Sequence, residues 1–335
     1  MINLIRVCSI LIFILKANSL FAKEISYFEL PGKKITALMG KTTSGDMYGY
    51  YTDDNGDNYS WEHFFAKING VEYSEESFQL KSVESIINKI NNNGIAIGHM
   101  WNTYKKNDEN SIEEFGTSFI IENGKFKTFD CFGIPNESPD ELNNSAIISI
   151  NDNNTLLVRC TTVGVVKYYF VDGQSYRYIS DLPEKYNGIK AEYYPIDFNK
   201  NEEILGSVQY LEGEGENVKL RQFSFKFKNN KIEYLYGPSE LVSKDFIFDA
   251  GSINNAGFIA GRFYNDKTDE RGYAFILEPN GRFHSYGEAD LNGGFNTDQF
   301  FSFFLGNISD DNEFCGFVYG INGDSRKSLS FILKP

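Results

Sequence analysis

Aromatic and acidic side chains are concentrated in two neighbouring stretches, residues 51–65 and 99–115. The residues that we predict to contact a ligand are Tyr51, Asp53, Asp54, Asp57, Trp61, His99, Trp101 and Tyr104. Aromatic rings give a large contact area at low entropic cost, and neighbouring carboxylates accept hydrogen bonds. This composition predicts recognition of a sugar or a protein surface. The alternative is that Trp61 and Trp101 are packing residues.

The acidic run Asp53-Asp54-Asn55-Gly56-Asp57-Asn58 places oxygen ligands at alternate positions, as calcium loops do. Its turn glycine and a terminal bidentate glutamate are out of register with an EF-hand loop. The run also shares part of the sialidase Asp-box, Ser-x-Asp-x-Gly-x-Thr-Trp, but Trp61 lies five residues after Gly56, which is too far. We expect an acidic hairpin loop and no cofactor, with Ca²⁺ as the one metal that the pattern leaves open.

Motifs for catalysis are sparse in this sequence. The three histidines, His63, His99 and His284, are far apart and lack zinc-type spacing. The sequence has neither a Gly-x-Ser-x-Gly motif nor a glycine-rich phosphate loop. Asp197 and Asp249 could face each other as a glycosidase-like pair of carboxylates, or be buried acids bonded to backbone amides. We predict no catalytic residue, and enzyme activity stays open.

An internal repeat indicates which elements position these residues. Related units begin near Lys41, Ile90, Ile150, Phe198, Ile253 and Ile308. Eight positions after each start stand Gly49, Gly98, Val158, Gly206, Gly261 and Gly316. Each unit then has a matching phenylalanine: Phe65, Phe119, Phe170, Phe225, Phe275 and Phe331. Five of these are followed by Asn-Gly, Asp-Gly or Asn-Asn, which are hairpin signals. Periods of this size are typical of solenoids, propellers and arrays.

Each unit contains four predicted strands, because a further apolar segment precedes each start. Four antiparallel strands at this period predict a blade, and six units predict an all-β, six-bladed β-propeller. The last unit lacks one strand, and EISYFELPG near the N-terminus resembles the missing one. We therefore expect the N-terminal strand to complete the last blade and close the ring, within one domain of residues 23–335. The alternative is an open β-solenoid.

The predicted topology separates two kinds of connection. Tight turns join the first strand to the second and the third to the fourth, and both lie on one face of the disc. The loops between second and third strands and the connections between blades are longer, and both emerge on the opposite face, here named the long-loop face. Because variable loops on a rigid scaffold carry binding residues, we expect function on the long-loop face. Unconstrained drift of these loops is the alternative.

The N-terminal segment and the charge bear on the compartment. Residues 1–22 resemble a secretory signal, with Arg6 before an apolar stretch that is too short to span a membrane. The formal net charge of −14 disfavours nucleic acid as a partner. We expect a secreted or periplasmic monomer, with an uncleaved N-terminal anchor as the alternative.

The predicted mature chain has three cysteines, Cys131, Cys160 and Cys315. Cys160 and Cys315 fall in second strands, where a small apolar residue suits the core. One disulfide would be compatible with an oxidising compartment, but spacing does not assign it. We expect buried cysteines without a bond.

The repeat resembles the HAF family of probable extracellular repeats, whose units read Ile-Asn-x-x-Gly-x-Ile-x-Gly followed by His-Ala-Phe. The best unit here runs from Ile253 to Gly261 and continues with Tyr273-Ala274-Phe275. The histidine is replaced in five of the six units, with His63-Phe64-Phe65 as the exception. The resemblance covers nearly all of the predicted mature chain and implies an exported bacterial repeat protein. It supplies no catalytic residues.

These observations favour an exported binding protein that recognises a glycan or a protein through its long-loop face. One alternative is a propeller enzyme acting on polysaccharide with carboxylates in the central channel. Another is a structural or assembly module without a small ligand.

Overall fold

The structure is a computed structural model that describes residues 24–28, 30, 35–52, 62–80, 84–105, 112–129, 131, 142–162, 165–213, 218–239, 246–265, 269–287, 299–322 and 325–334. The predicted signal, residues 1–22, lies outside these ranges. Within them, no helix combines the length and the apolarity that a bilayer crossing requires.

The chain folds into six antiparallel sheets, which confirms the predicted six-bladed propeller. The first strands in chain order are β1 (Glu24–Phe28), β2 (Ile35–Lys41), β3 (Met47–Thr52), β4 (Glu62–Ile68), β5 (Val71–Ser74), β6 (Glu84–Ile90), β7 (Ala96–Lys105), β8 (Ile112–Glu122), β9 (Lys125–Phe129), β10 (Leu142–Ile150), β11 (Leu156–Thr162), β12 (Val165–Asp172) and β13 (Ser175–Tyr178). Strands β2–β5, β6–β9 and β10–β13 form blades one, two and three. A short 3₁₀ helix, Glu76–Phe78, follows blade one.

The remaining strands are β14 (Lys185–Tyr186), β15 (Ile189–Phe198), β16 (Ile204–Glu212), β17 (Lys219–Lys228), β18 (Lys231–Leu235), β19 (Phe246–Ile253), β20 (Ile259–Asn265), β21 (Asp269–Leu277), β22 (Phe283–Tyr286), β23 (Gln299–Ile308), β24 (Phe314–Asn322) and β25 (Ser325–Lys334). Blade four is β14–β18, with a short fifth strand, and blade five is β19–β22. Blade six consists of β23, β24, β25 and β1.

The N-terminal strand closes the ring. Strand β1 pairs antiparallel with β25, and Tyr27 stands directly opposite Phe331. Blade one then packs on blade six through side-chain hydroxyls: the Leu38 amide donates to Ser330 Oγ at 2.9 Å. The predicted closure is therefore confirmed.

The glycine and phenylalanine of each repeat are cross-strand neighbours. The pairs are Gly49–Phe65, Gly98–Phe119, Gly206–Phe225, Gly261–Phe275 and Gly316–Phe331. A Cβ at Gly98 would lie 2.2 Å from the Ile86 carbonyl oxygen and 2.4 Å from the Phe119 ring. Glycine is therefore required because the phenylalanine ring and the innermost strand both occupy the space of a side chain. Blade three differs, since Val158 faces Tyr169 there.

A second repeated feature stabilises the tight-turn face. In blades two to five, an asparagine after the repeat start accepts hydrogen bonds from its own turn. Asn91 Oδ1, for example, accepts from the Ile95 amide at 2.9 Å. The amide group then donates to a backbone carbonyl of the next blade, in the order Asn91 to Asn151, Asn151 to Asn199, Asn199 to Asn254, and Asn254 to Ser309. This relay links neighbouring blades and explains why asparagine recurs.

Each innermost strand also has a register shift at the same level. The residues that leave the pairing are Met39, Asn88, Ile148, Ile196, Gly251 and the pair Gly306–Asn307. Such β-bulges bend a strand and redirect its side chains. All of these residues line the central channel, so the bulges determine its inner surface.

The cysteines correct one expectation. Cys131 and Cys160 form a disulfide, whereas Cys315 is free and buried. Cys131 follows β9 of blade two, and Cys160 lies in β11 of blade three, so the bond links two blades. The prediction of unbonded cysteines was wrong for this pair, because two segments 29 residues apart meet at the blade interface. Burial raises the pKa of the Cys315 thiol to about 12.

Candidate functional site

The predicted ligand residues of blade one fall partly outside the described ranges. Asp53, Asp54, Asp57 and Trp61 are among those not described. Tyr51 lies near the end of β3, directly opposite His63, and the two ring centroids are 5.7 Å apart. His63 Nδ1 is 3.0 Å from Glu75 Oε2.

In blade two, His99 lies between blades. Its Nε2 is 3.1 Å from the Ile147 carbonyl oxygen, and its Nδ1 is 3.0 Å from Ser118 Oγ. Burial lowers the pKa of His99, so the neutral imidazole is favoured. Trp101 packs over Gly116, and its ring centroid lies 6.1 Å from that of His99. Tyr104 pairs with Glu113 in the β7–β8 hairpin, and its side chain is outside the description.

Asp197 and Asp249, the two acids considered as a carboxylate pair, have different partners. Asp197 Oδ1 accepts from Lys89 Nζ at 2.5 Å, from Ser149 Oγ at 2.5 Å and from the Phe198 amide at 2.9 Å. Its Oδ2 accepts from Ser252 Oγ at 3.1 Å and the Ile253 amide at 3.0 Å. These five hydrogen bonds satisfy both carboxylate oxygens of Asp197, which agrees with the interpretation of this residue as a buried, hydrogen-bonded acid.

Asp249 accepts from Gln222 Nε2 at 3.3 Å and from Arg262 Nε at 3.2 Å. It is therefore held by side chains of blades four and five. Asp197, in contrast, is held by blades two to five around the channel. The contacts of the two acids do not support the glycosidase-like pair that the sequence left open.

Four polar side chains converge on the axis at the tight-turn face, and we name them the axial ring: Asn92, Asp152, Asn255 and Asp310. Asn92 Nδ2 donates to Asp152 Oδ2 at 2.9 Å and to Asp310 Oδ2 at 3.0 Å. Asn255 Nδ2 donates to the same two oxygens, each at 2.6 Å. The four residues thus alternate as donors and acceptors across the axis.

Neighbouring amides fix the orientation of the axial ring. Asn92 Oδ1 accepts from the Thr43 amide at 3.0 Å, and Asn255 Oδ1 accepts from the Lys200 amide at 2.7 Å. Both NH₂ groups must therefore point at the carboxylates. Burial alone would raise the pKa of Asp152, but hydrogen bonds from Asn92 and Asn255 outweigh it and hold that pKa below its ordinary 3.8. The ring narrows the tight-turn end of the channel to a cavity of about 50 Å³.

The long-loop face carries a cleft that the sequence interpretation missed. It has a volume of about 340 Å³ and lies where β16, β17 and β18 of blade four meet the start of β19 in blade five. We name it the aromatic cleft after its ring-bearing wall residues, which are Tyr186, Tyr210, Phe223, Tyr236, Phe246 and Phe248. The ends of these strands lead into the loop between second and third strands and into the blade connection, so the cleft opens on the predicted functional face.

Tyr186 organises the rings. Its ring centroid is 5.1 Å from Tyr210 and 4.7 Å from Phe223, with an edge-to-face arrangement against Phe223. Its hydroxyl is 3.1 Å from that of Tyr236, whose side chain is 57% exposed. Burial raises the pKa of Tyr236 most, and the hydrogen bond with Tyr186 raises it further. Burial likewise raises the pKa of Tyr210, so both are neutral phenols at pH 7 that can donate and accept hydrogen bonds.

The charged groups that the structure describes at the edge of the cleft occur in matched pairs. Arg221 Nε donates to Glu212 Oε2 at 2.7 Å, directly beside Tyr210. Gln222 bridges Gln209, at 2.9 Å, and Asp249, which also pairs with Arg262. Each of these described carboxylates therefore has an arginine partner, although the protein as a whole is acidic. No cluster of three or more His, Cys, Asp or Glu side chains suited to a metal ion occurs in the described part of the chain.

The sequence contains one local indication of this cleft, but the residues that form it are spread over several strands. Tyr186 stands on a hairpin whose turn is Asn187-Gly188, with φ of 48° and 83°. Asn-Gly is the strongest short-range hairpin signal, so this turn could have been found from the sequence. The other rings come from separate strands, and only the blade interface brings them together.

No family model and no curated protein matches the sequence. Among solved structures, the β-propeller domain of the trilobed protease from Pyrococcus furiosus is similar, with a TM-score of 0.45 and 12% identity over 90% of this chain and 85% of that one. TolB from Acinetobacter baumannii gives a TM-score of 0.43 and 10% identity over 87% of this chain, which spans 65% of TolB's length. An α-L-arabinanase from Penicillium chrysogenum gives a TM-score of 0.43 and 7% identity over 90% of this chain and 94% of that one. These similarities concern the fold alone, and the resemblance to HAF repeats stays a prediction.

Proposed function

We propose that the protein is an exported, non-enzymatic binding protein that recognises an uncharged glycan in the aromatic cleft. The observation that carries the proposal is the grouping of Tyr186, Tyr210, Phe223 and Tyr236 in one open cleft on the long-loop face. A volume of about 340 Å³ falls in the range of small-ligand sites, which is roughly 300–1,000 Å³.

The chemistry of the cleft favours a sugar. Ring faces pack on the C–H surface of a pyranose, while phenol hydroxyls and amides bind its hydroxyl groups. Glu212 is paired with Arg221, and Asp249 with Arg262, so these described groups offer no excess of opposite charge to a cationic or an anionic ligand. A neutral glycan avoids breaking these pairs.

A binding role is favoured over catalysis by the state of the carboxylates. A general acid or base must be able to reach the substrate at hydrogen-bond distance. Asp197 uses both oxygens on five donors, and the two carboxylates that the structure describes at the cleft, Glu212 and Asp249, are each paired with an arginine. The polysaccharide-acting enzyme and the structural module stay as the alternative functions.

Export is part of the proposal and has independent support. Residues 1–22 have the pattern of a secretory signal. The Cys131–Cys160 bond belongs to an oxidising compartment, because cytosolic proteins keep their thiols reduced. The disulfide thus supports a periplasmic or extracellular location.

A glycan array probed with the purified chain of residues 23–335 tests the function. We expect binding to neutral oligosaccharides, and a loss of at least tenfold in affinity for Tyr236→Ala because it removes an exposed wall of the cleft. Tyr178→Ala is the matched control, since Tyr178 is 52% exposed on the outer strand of blade three. Glycan binding that survives Tyr236→Ala would refute the assignment to the aromatic cleft. An array without any bound glycan, together with a pull-down that captures a protein partner, would refute the glycan as the ligand.

A further inference from the structure

The upper part of the central channel is a separate pocket. It has a volume of about 250 Å³ and is lined by residues of all six innermost strands. Most of its wall is the ring of bulge residues, in which Met39, Ile148 and Ile196 present apolar side chains. This pocket lies on the long-loop side of the axial ring, because the bulges precede the tight turns by about three residues in each strand.

The floor of the pocket is polar and fixed. Lys89 crosses the channel to Asp197, and its Nζ also donates to Ser149 Oγ at 3.3 Å. These contacts with described residues use two of the three ammonium N–H groups. The side chain of Lys89 is 17% exposed, so it still reaches the pocket. A group bound there can therefore accept a hydrogen bond from Lys89.

The charged residues around the pocket determine which kind of hydrogen-bond acceptor can bind to Lys89. Asp197 already neutralises Lys89, and Asp152 and Asp310 lie further along the same axis. A carboxylate ligand would be buried beside these acids without a counterion of its own, which carries a large desolvation cost. A carbonyl or hydroxyl oxygen can accept the same hydrogen bond without that cost.

We propose that this channel pocket binds an uncharged amphiphile, with an aliphatic body against Met39, Ile148 and Ile196 and a carbonyl or hydroxyl head group on Lys89. At roughly 30 Å³ for each water-sized group, the pocket holds about eight non-hydrogen atoms. This matches a short aliphatic amide, ester or alcohol. The proposal is independent of the aromatic cleft.

Gly251 provides a direct test, because its side of the pocket is open. A Cβ there would meet nothing closer than the Ala260 carbonyl oxygen, at 4.0 Å. Gly251 is also absent from the glycines with positive φ. Gly251→Leu therefore places a side chain in the pocket without displacing backbone.

The probe is hexanamide, which has eight non-hydrogen atoms, with hexanoate as its anionic isostere. We expect saturable calorimetric binding of hexanamide with a Kd on the order of 1 mM or tighter, as a ligand of this size can reach. Hexanoate should bind at least tenfold more weakly than hexanamide. Gly251→Leu should lower the affinity for hexanamide at least tenfold while the Tm of the protein stays unchanged. Tyr236→Ala, in the aromatic cleft, should leave hexanamide binding within twofold.

A second measurement does not depend on the variant. In methyl-labelled wild-type protein, we expect intermolecular NOEs from hexanamide to the methyl groups of Met39, Ile148 or Ile196. The proposal is overturned if hexanamide does not bind, if hexanoate binds as tightly, if a folded Gly251→Leu binds like wild type, or if the NOEs arise at the aromatic cleft.

Discussion

Lys89 and Asp197 form an ion pair across the central channel, with 2.5 Å between Nζ and Oδ1, although they belong to blades two and four. Ser149 of blade three and Ser252 of blade five donate to the same carboxylate. One side chain thus connects four of the six blades. Its solvent-exposed fraction of 3% means that any lost partner leaves a buried charge uncompensated.

Asp197→Ala should lower the free energy of unfolding by about 3–5 kcal/mol, because it leaves Lys89 and several donors without their acceptor. Urea denaturation followed by tryptophan fluorescence measures the loss. Asp249→Ala is the control: its pair with Arg262 is more exposed, and we expect about 1 kcal/mol or less. Equal losses for the two variants would contradict the connecting role of Asp197.

Gly98→Ala should destabilise the protein by about 3 kcal/mol, since its methyl group would lie against both the Ile86 carbonyl and the Phe119 ring. Gly251→Ala adds the same methyl group where there is space, and should change stability by less than about 1 kcal/mol. Thermal and urea unfolding of both variants check the difference. If Gly98→Ala were tolerated as well as Gly251→Ala, the steric account of the repeated glycine would be wrong.

Reduction of the Cys131–Cys160 disulfide should lower stability by about 3 kcal/mol, the usual effect for a loop of this length. The measurement compares unfolding with and without dithiothreitol. Cys315→Ser should keep the sensitivity to reduction, whereas Cys131→Ser combined with Cys160→Ser should abolish it. Mass spectrometry showing three free thiols in the native protein would exclude the bond.

Acidification should weaken the axial ring. The folded pKa of Asp152 is depressed below 3.8, so its contribution is complete above the unfolded value and is lost as the pH falls through the folded value. Wild type should therefore lose more stability between about pH 5 and pH 2 than Asp152→Asn, which cannot titrate at that position. Urea midpoints across this range measure the effect. A loss in the variant that is as steep as in wild type would assign the pH dependence to other carboxylates.

The sequence was sufficient for the architecture because the repeat encodes local geometry. A glycine opposite a phenylalanine and an asparagine in a tight turn recur at fixed spacing, and each has a steric or hydrogen-bonding reason in the structure. The closing strand was also predictable, because Tyr27 and Phe28 complete a pattern that the last unit lacks.

The candidate site was harder to predict because its residues do not form a motif. Tyr186, Tyr210, Phe223 and Tyr236 are separated along the chain, and their exposure depends on how β19 approaches blade four. The sequence pattern pointed to Trp61 and Trp101 instead, since the only two tryptophans of the chain fall in neighbouring predicted loops. The disulfide was missed for a related reason: Cys131 lies in a blade connection, whose path is not set by the repeat.

The pairing of β1 with β25 has a consequence for biosynthesis. Glu24 and Lys334 are partners although they lie roughly 300 positions apart, so the sixth sheet cannot be completed until synthesis has passed Lys334. Loop closure over that distance makes this a late and slow contact. Until then, the strands of blade six expose the unpaired edge of a sheet, which is a site where aggregation can start.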